Sequence, residues 1–138
     1  KAAFLADLQK ISDLIYQTTG QRTMLYRFSG GSSNKVSNVD MKLLIQYLNE
    51  SGYTYFDWNV MSGDASTQNF SAEVLTQNVM SGIKKNQTSI VLYRDADSRT
   101  ATVKSLTDVI DQLIDMGAQI LPIDDNTKKI QHIRATKK

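Results

Sequence analysis

Helical and strand-like segments alternate strictly along this chain, and that alternation restricts its fold more than any other feature. From about Ala3 to Thr18, the residues Leu5, Leu8, Ile11 and Ile15 recur at the spacing of one helical face, and Gly20 follows where a left-handed terminator is wanted. "TMLYRF" (23–28) reads as a strand, and a polar loop leads to a second helix over Val39–Ser51, capped by Ser37 or Asn38 and stopped by Gly52. "YTYFDWNV" (53–60) is rich in aromatic and β-branched residues, as strands are. Ser71 is placed to cap a third helix that ends near Gly82, and "TSIVLYR" (88–94) reads as a short buried strand. A fourth helix, with Val103, Leu106, Ile110, Leu113 and Ile114 on its apolar face, ends at Gly117 before the strand-like "AQILPI" (118–123).

Strand starts recur at roughly thirty-residue intervals, the size of a βα unit. The pattern predicts an α/β fold of alternating helix-strand units with parallel strands, as an open sheet or part of a barrel. In either arrangement functional loops gather at the carboxyl ends of the strands. Those loops are "SGGSSN", "MSGDAS", "RDADSRT" and "DDNTKK".

With 138 residues the chain suits one domain, 1–138, with a real core. A formal charge of +2 is too small to point to nucleic acid. Cysteine is absent, which excludes disulfides, zinc-thiolate sites and a cysteine nucleophile. No transmembrane or signal segment is visible. The first residues already follow a helical pattern and lack an initiator Met, which suggests a fragment. Phe4, Tyr16, Met41, Tyr47 and Met80 fall on helix faces and read as core.

Metal-binding signals are weak. The single histidine, His132, lies in the tail, and a hydrolytic metal site usually needs three protein ligands within reach of one another. Loop carboxylates Asp57, Asp64, Asp95, Asp97, Asp124 and Asp125 suit a hard cation only loosely. "DADSRTATVKSL" fails as a calcium loop, with Thr100 where the sharp-turn glycine belongs and Leu106 where the bidentate glutamate belongs. "GGSSN" lacks the lysine and the glycine spacing of a phosphate loop.

Three stretches carry a resemblance. "LYRFSGGSSN" (25–34), "FDWNVMSGDAS" (56–66) and the run from "IVLYRDADSRT" to "AQILPI" resemble, in order, the later motifs of the polysaccharide deacetylases, the NodB-homology group also called carbohydrate esterase family four. "KKIQHI" resembles the tail of that group, and Ser29 stands where its third motif has proline. The similarity spans nearly the whole chain and corresponds to the C-terminal half of the family domain.

That resemblance implies a distorted (β/α) barrel and removal of acetyl groups from N- or O-acetylated glycans. It implies that Arg27 holds a catalytic aspartate ionised, that Asp57 and Trp58 wall a sugar groove, and that Leu92 lines the pocket for the acetyl methyl. Arg94 departs from the family, which has a general-acid histidine there; a guanidinium with a pKa above about 12 keeps its proton at neutral pH. Arg94 suits an oxyanion, a carboxylate or a phosphate instead, or a structural pair with Asp95 or Asp97. The family's aspartate pair and His-x-x-x-His set, which would supply the catalytic base and hold zinc or a similar divalent metal, have no counterpart here.

This chain alone is therefore expected to hold no metal and to be inactive, with a non-catalytic glycan-binding module as the alternative. The implied ligand is an acetylated glycan, and the implied location is extracellular or the cell envelope. A half-barrel leaves two sheet edges open, so a missing N-terminal half or another chain is expected to cover them.

Overall fold

The parallel pairing expected from the alternation is present as two short ladders. The computed structural model describes residues 1–96 and 100–134. Contacts divide the chain into two compact units, Lys1–Asp57 with Lys129–Lys138, and Trp58–Lys128.

The first unit contains α1 (Ala2–Thr19), β1 (Leu25–Tyr26), α2 (Met41–Glu50) and β2 (Thr54–Tyr55). β1 and β2 run parallel, with Leu25 opposite Thr54 and Tyr26 opposite Tyr55. Leu8, Phe28, Met41, Ile45, Leu48 and Tyr55 are buried together. Within that core, Tyr26, Phe28 and Tyr55 meet edge to face at 5.0 and 5.5 Å, the arrangement that aromatic quadrupoles favour. Gly20, at φ 71°, ends α1 by donating its N–H to Tyr16, in a left-handed conformation that costs glycine little.

The second unit contains β3 (Val60–Met61), α3 (Ala72–Ile83), β4 (Val91–Leu92) and α4 (Thr100–Asp115). β3 and β4 are parallel, with Val60 opposite Val91 and Met61 opposite Leu92. Val60, Val79, Met80 and Val109 form its core. Gly82 lets α3 lie close against β3, because a Cβ there would stand 2.7 Å from Val60 Cγ1.

Several expectations need correction. The cap of α2 is Asp40, whose carboxylate accepts from Lys42 N at 2.9 Å. Ser37 instead closes its own turn with Val39, and Asn38 does not cap the helix. On α1 Leu8 and Ser12 are buried and Phe4 and Leu5 pack against the same core as expected, while Ile11 is exposed; Tyr16 is exposed too and carries the Arg22 guanidinium over its ring.

The larger surprise is α4. Its buried face is Thr102, Ser105 and Val109, with Leu113 half-buried, and the more apolar stripe of Val103, Leu106, Ile110 and Ile114 faces out. Hydroxyl partners explain the inversion: Thr102 donates to Asp64, and the Ser105 hydroxyl meets those of Thr76 and Tyr93. Residues 118–123 form no strand, and Ile120 and Leu121 are 55% and 73% exposed. An apolar run becomes a strand only where a neighbour's peptide groups complete its hydrogen bonds. The other strands are shorter than expected for the same reason, although flanking bonds such as Phe56 N to Tyr26 O and Ser62 N to Leu92 O extend their pairing.

Two outcomes follow from the second unit. Gly82→Ala should destabilise it by about 1–3 kcal/mol, because Val60 is a short, buried side chain that cannot swing away. Urea unfolding checks this, and adding Val60→Ala should recover part of the loss. At the start of α3, Ser71 accepts from Val74 N. Beside it, Glu73 is held down to about 2, first by its own backbone N–H, then by the Ser71 hydroxyl and Lys104. A depressed carboxylate stabilises the fold above its unfolded value of 4.5, and that support is lost as pH falls through about 2. NMR titration of the Glu73 carboxyl should show a midpoint near 2 that rises in Lys104→Ala.

Candidate functional site

Because β3 and β4 are parallel, their carboxyl ends open at one place, and Asp64 organises it. Asp64 is 4% exposed. One carboxylate oxygen accepts the Ser62 hydroxyl at 2.7 Å; the other accepts the Arg94 backbone N–H at 2.8 Å and the Thr102 hydroxyl at 3.0 Å. A single buried carboxylate thus ties the end of β3, the end of β4 and the first turn of α4. Asn78 adds a bond from its side-chain amide to the Ser62 carbonyl at 2.8 Å. Tyr93 next to Arg94 is half-buried, and burial pushes its phenol above the ordinary value.

The first unit has its own buried carboxylate. Asp57 is 1% exposed and accepts from Ser32 N at 2.8 Å, Ser32 Oγ at 2.5 Å and His132 N at 2.8 Å. Ser32 Oγ in turn accepts Ile133 N at 3.0 Å. The tail is fixed further by Asp57 N to Ile130 O, by the Gln131 amide to Tyr55 O, and by the Tyr55 hydroxyl to Ile133 O. His132 Nδ1 lies 3.3 Å from Ser33 Oγ and 4.0 Å from Asp57 Oδ2.

The expected site residues divide between the units. In the first, Asp57 is buried in this tail network, and Arg27 is exposed, with its guanidinium donating to Phe28 O at 3.4 Å. In the second, Leu92 is half-buried in β4 and Arg94 is exposed just beyond it. Trp58 is half-buried before the amino end of the β3–β4 ladder. Arg94 lies beyond the carboxyl end, so the two residues stand at opposite ends of that ladder. Asp97, weighed above as a cation ligand or Arg94 partner, lies outside the described residues.

Asp64, read from the sequence only as one loop carboxylate among several, is the acidic group that meets the strand end bearing Arg94. Its position just after an apolar strand was the available signal. Among the described residues no three His, Cys, Asp or Glu side chains gather where a metal could sit. The described residues therefore do not fit the divalent metal that the resemblance implies. None of the described helices is long and apolar enough to cross a membrane.

The fold is similar to that of known deacetylases. The catalytic domain of the peptidoglycan N-acetylglucosamine deacetylase from Eubacterium rectale superposes with a TM-score of 0.87 at 33% identity, covering 99% of this chain and 62% of that one. A carbohydrate esterase family four esterase from Streptococcus mutans gives 0.67 at 22% identity, covering 83% of this chain and 50% of that one. A polysaccharide deacetylase from Bacillus cereus gives 0.70 at 16% identity, with 94% and 62% covered. The last two matches show the fold alone. A scan against protein-family models and a search of curated proteins both return no match. The chain spans less than two thirds of each structure it resembles, and its α/β architecture is that of part of their (β/α) barrel.

The two carboxylates should separate in hydrogen exchange. Removing either leaves buried donors without an acceptor, at about 1–3 kcal/mol for each group. Asp64→Ala should speed exchange at the Arg94 amide and leave the His132 amide protected; Asp57→Ala should do the reverse. NMR exchange rates read both amides in one experiment.

Proposed function

Because this chain has the fold of the polysaccharide deacetylases and spans part of their domain, we propose that it forms the substrate-side portion of a site that removes acetyl groups from cell-envelope glycans. One observation carries the reading: a structure described as a peptidoglycan N-acetylglucosamine deacetylase matches 99% of this chain at 33% identity. The polar residues at the carboxyl ends of β3 and β4 support it, since ligand sites of parallel α/β folds open there.

In this proposal Leu92 lines the space for the acetyl methyl group and Trp58 offers a ring face to a sugar. Arg27 orients a base supplied by the rest of the domain, and Asp57 holds the motif loop around Ser32 in place. Arg94 binds negative charge that develops on the acetyl oxygen, because it cannot donate a proton at neutral pH. The catalytic base and the metal ligands would come from the remaining part of the domain, which would also cover the open strand edges. The cell envelope or the extracellular space is the proposed location. A second reading, a glycan-binding module without catalysis, is favoured by Arg94 in place of the family's histidine.

Mass spectrometry of an N-acetylglucosamine oligomer incubated with the 138-residue chain and a divalent metal tests this. No loss of acetyl groups is expected. Acetate release by the chain alone would overturn the division of the site. Restoring the remainder of the domain separates the two readings: turnover supports the enzyme, and binding without turnover that Arg94→His converts to turnover supports a decayed site.

A further inference from the structure

We propose that the cavity between the 62–71 loop and the first turn of α4 is a subsite for one N-acetylated sugar ring. The inference rests on the glycan reading above and extends it to a place that Trp58 and Leu92 do not reach. The cavity, about 250 Å³, lies wholly within the second unit. Gln68, Asn69 and Thr100 supply its polar lining, and Phe70 and Leu75 its apolar lining.

The chemistry of the walls selects the ligand. Gln68 and Asn69 are exposed, and their side-chain amides have no hydrogen-bond partner among the described residues. Each amide offers donors and an acceptor together, which suits the paired hydroxyls of a sugar and the peptide-like acetamido group. Phe70, half-buried, provides an apolar surface for the C–H face of a pyranose and for the acetyl methyl, with the buried Leu75 behind it. Among the described residues no cation lines the cavity, and the Asp64 carboxylate forms part of its wall, which suits a neutral ligand. The volume falls below the roughly 300–1,000 Å³ of drug-sized sites, which fits one ring and not a longer oligomer.

The position gives the cavity a use. Asp64 and Thr102 belong to its wall, and the same Asp64 oxygen that accepts from Thr102 also accepts the Arg94 backbone N–H. A ring held here would sit one hydrogen-bonded residue away from the strand end that carries Leu92 and Arg94. It would therefore fix the register of a glycan relative to that strand end.

Titration of the 138-residue chain with tri-N-acetylchitotriose, followed by amide NMR, tests the proposal. Shifts are expected at Gln68, Asn69, Phe70 and Thr100–Thr102, and the non-acetylated cellotriose should bind at least fivefold more weakly. Phe70→Ala should weaken binding about tenfold. The double variant Gln68→Ala/Asn69→Ala alters only exposed side chains and should weaken it comparably, which keeps the test valid if Phe70→Ala perturbs folding. Sugar-dependent shifts confined to Trp58 and Leu92, with both variants binding normally, would overturn this subsite and leave the glycan reading standing. No shift anywhere would overturn both.

Discussion

A carboxylate with almost no exposed surface, Asp57, fixes how the Ser32 loop and residues 130–133 meet in the first unit. Taking a carboxylate out of water costs several kcal/mol. Hydrogen bonds to a charged group return about 1.5–3 kcal/mol each, and Asp57 accepts three. Cost and gain are of similar size, so the net contribution to stability is small. What the arrangement supplies is definition: the Ser32 loop and residues 130–133 can satisfy their donors in one way only. The second unit repeats this solution at Asp64, where three elements share one buried acceptor pair.

Both carboxylates follow apolar strand residues, and this shapes how the site is built. A parallel strand must end with its last amides unpaired unless a side chain or loop meets them. Asp64 meets the Arg94 amide directly, and Asp57 meets amides of the Ser32 loop and the tail. The loops after these strands are thus anchored by buried acceptors, while Arg94, Gln68 and Asn69 remain exposed.

Much of the fold was legible in the sequence, because period and punctuation are local signals. The four helices, the Gly20 stop, the Ser71 cap and the parallel sense of the strands follow from spacing and from glycine and serine placement. The face of α4 was not legible. Val103, Leu106, Ile110 and Ile114 make the stronger apolar stripe, yet hydroxyl pairing to Asp64, Thr76 and Tyr93 decides which side is buried, and those partners are distant in sequence. Asp57 could be read as a motif residue, but its bonds to Ser32 and His132 span 25 and 75 positions, beyond what any local pattern reports. Asp64 reads in the sequence only as one loop carboxylate among several, for the related reason that its partners depend on the β3–β4 register.

The first unit is not continuous along the chain, since residues 129–134 return to it after the whole of the second unit. During synthesis the 58–128 segment is therefore complete before the first unit has its last pieces. Until Ile130, His132 and Ile133 emerge, Asp57 and Tyr55 lack the partners that these residues provide. The nascent chain carries a half-finished core with an unclosed polar latch, a condition in which holding factors on the ribosome would have their greatest effect. Shortening the chain by its last ten residues would make that transient condition permanent.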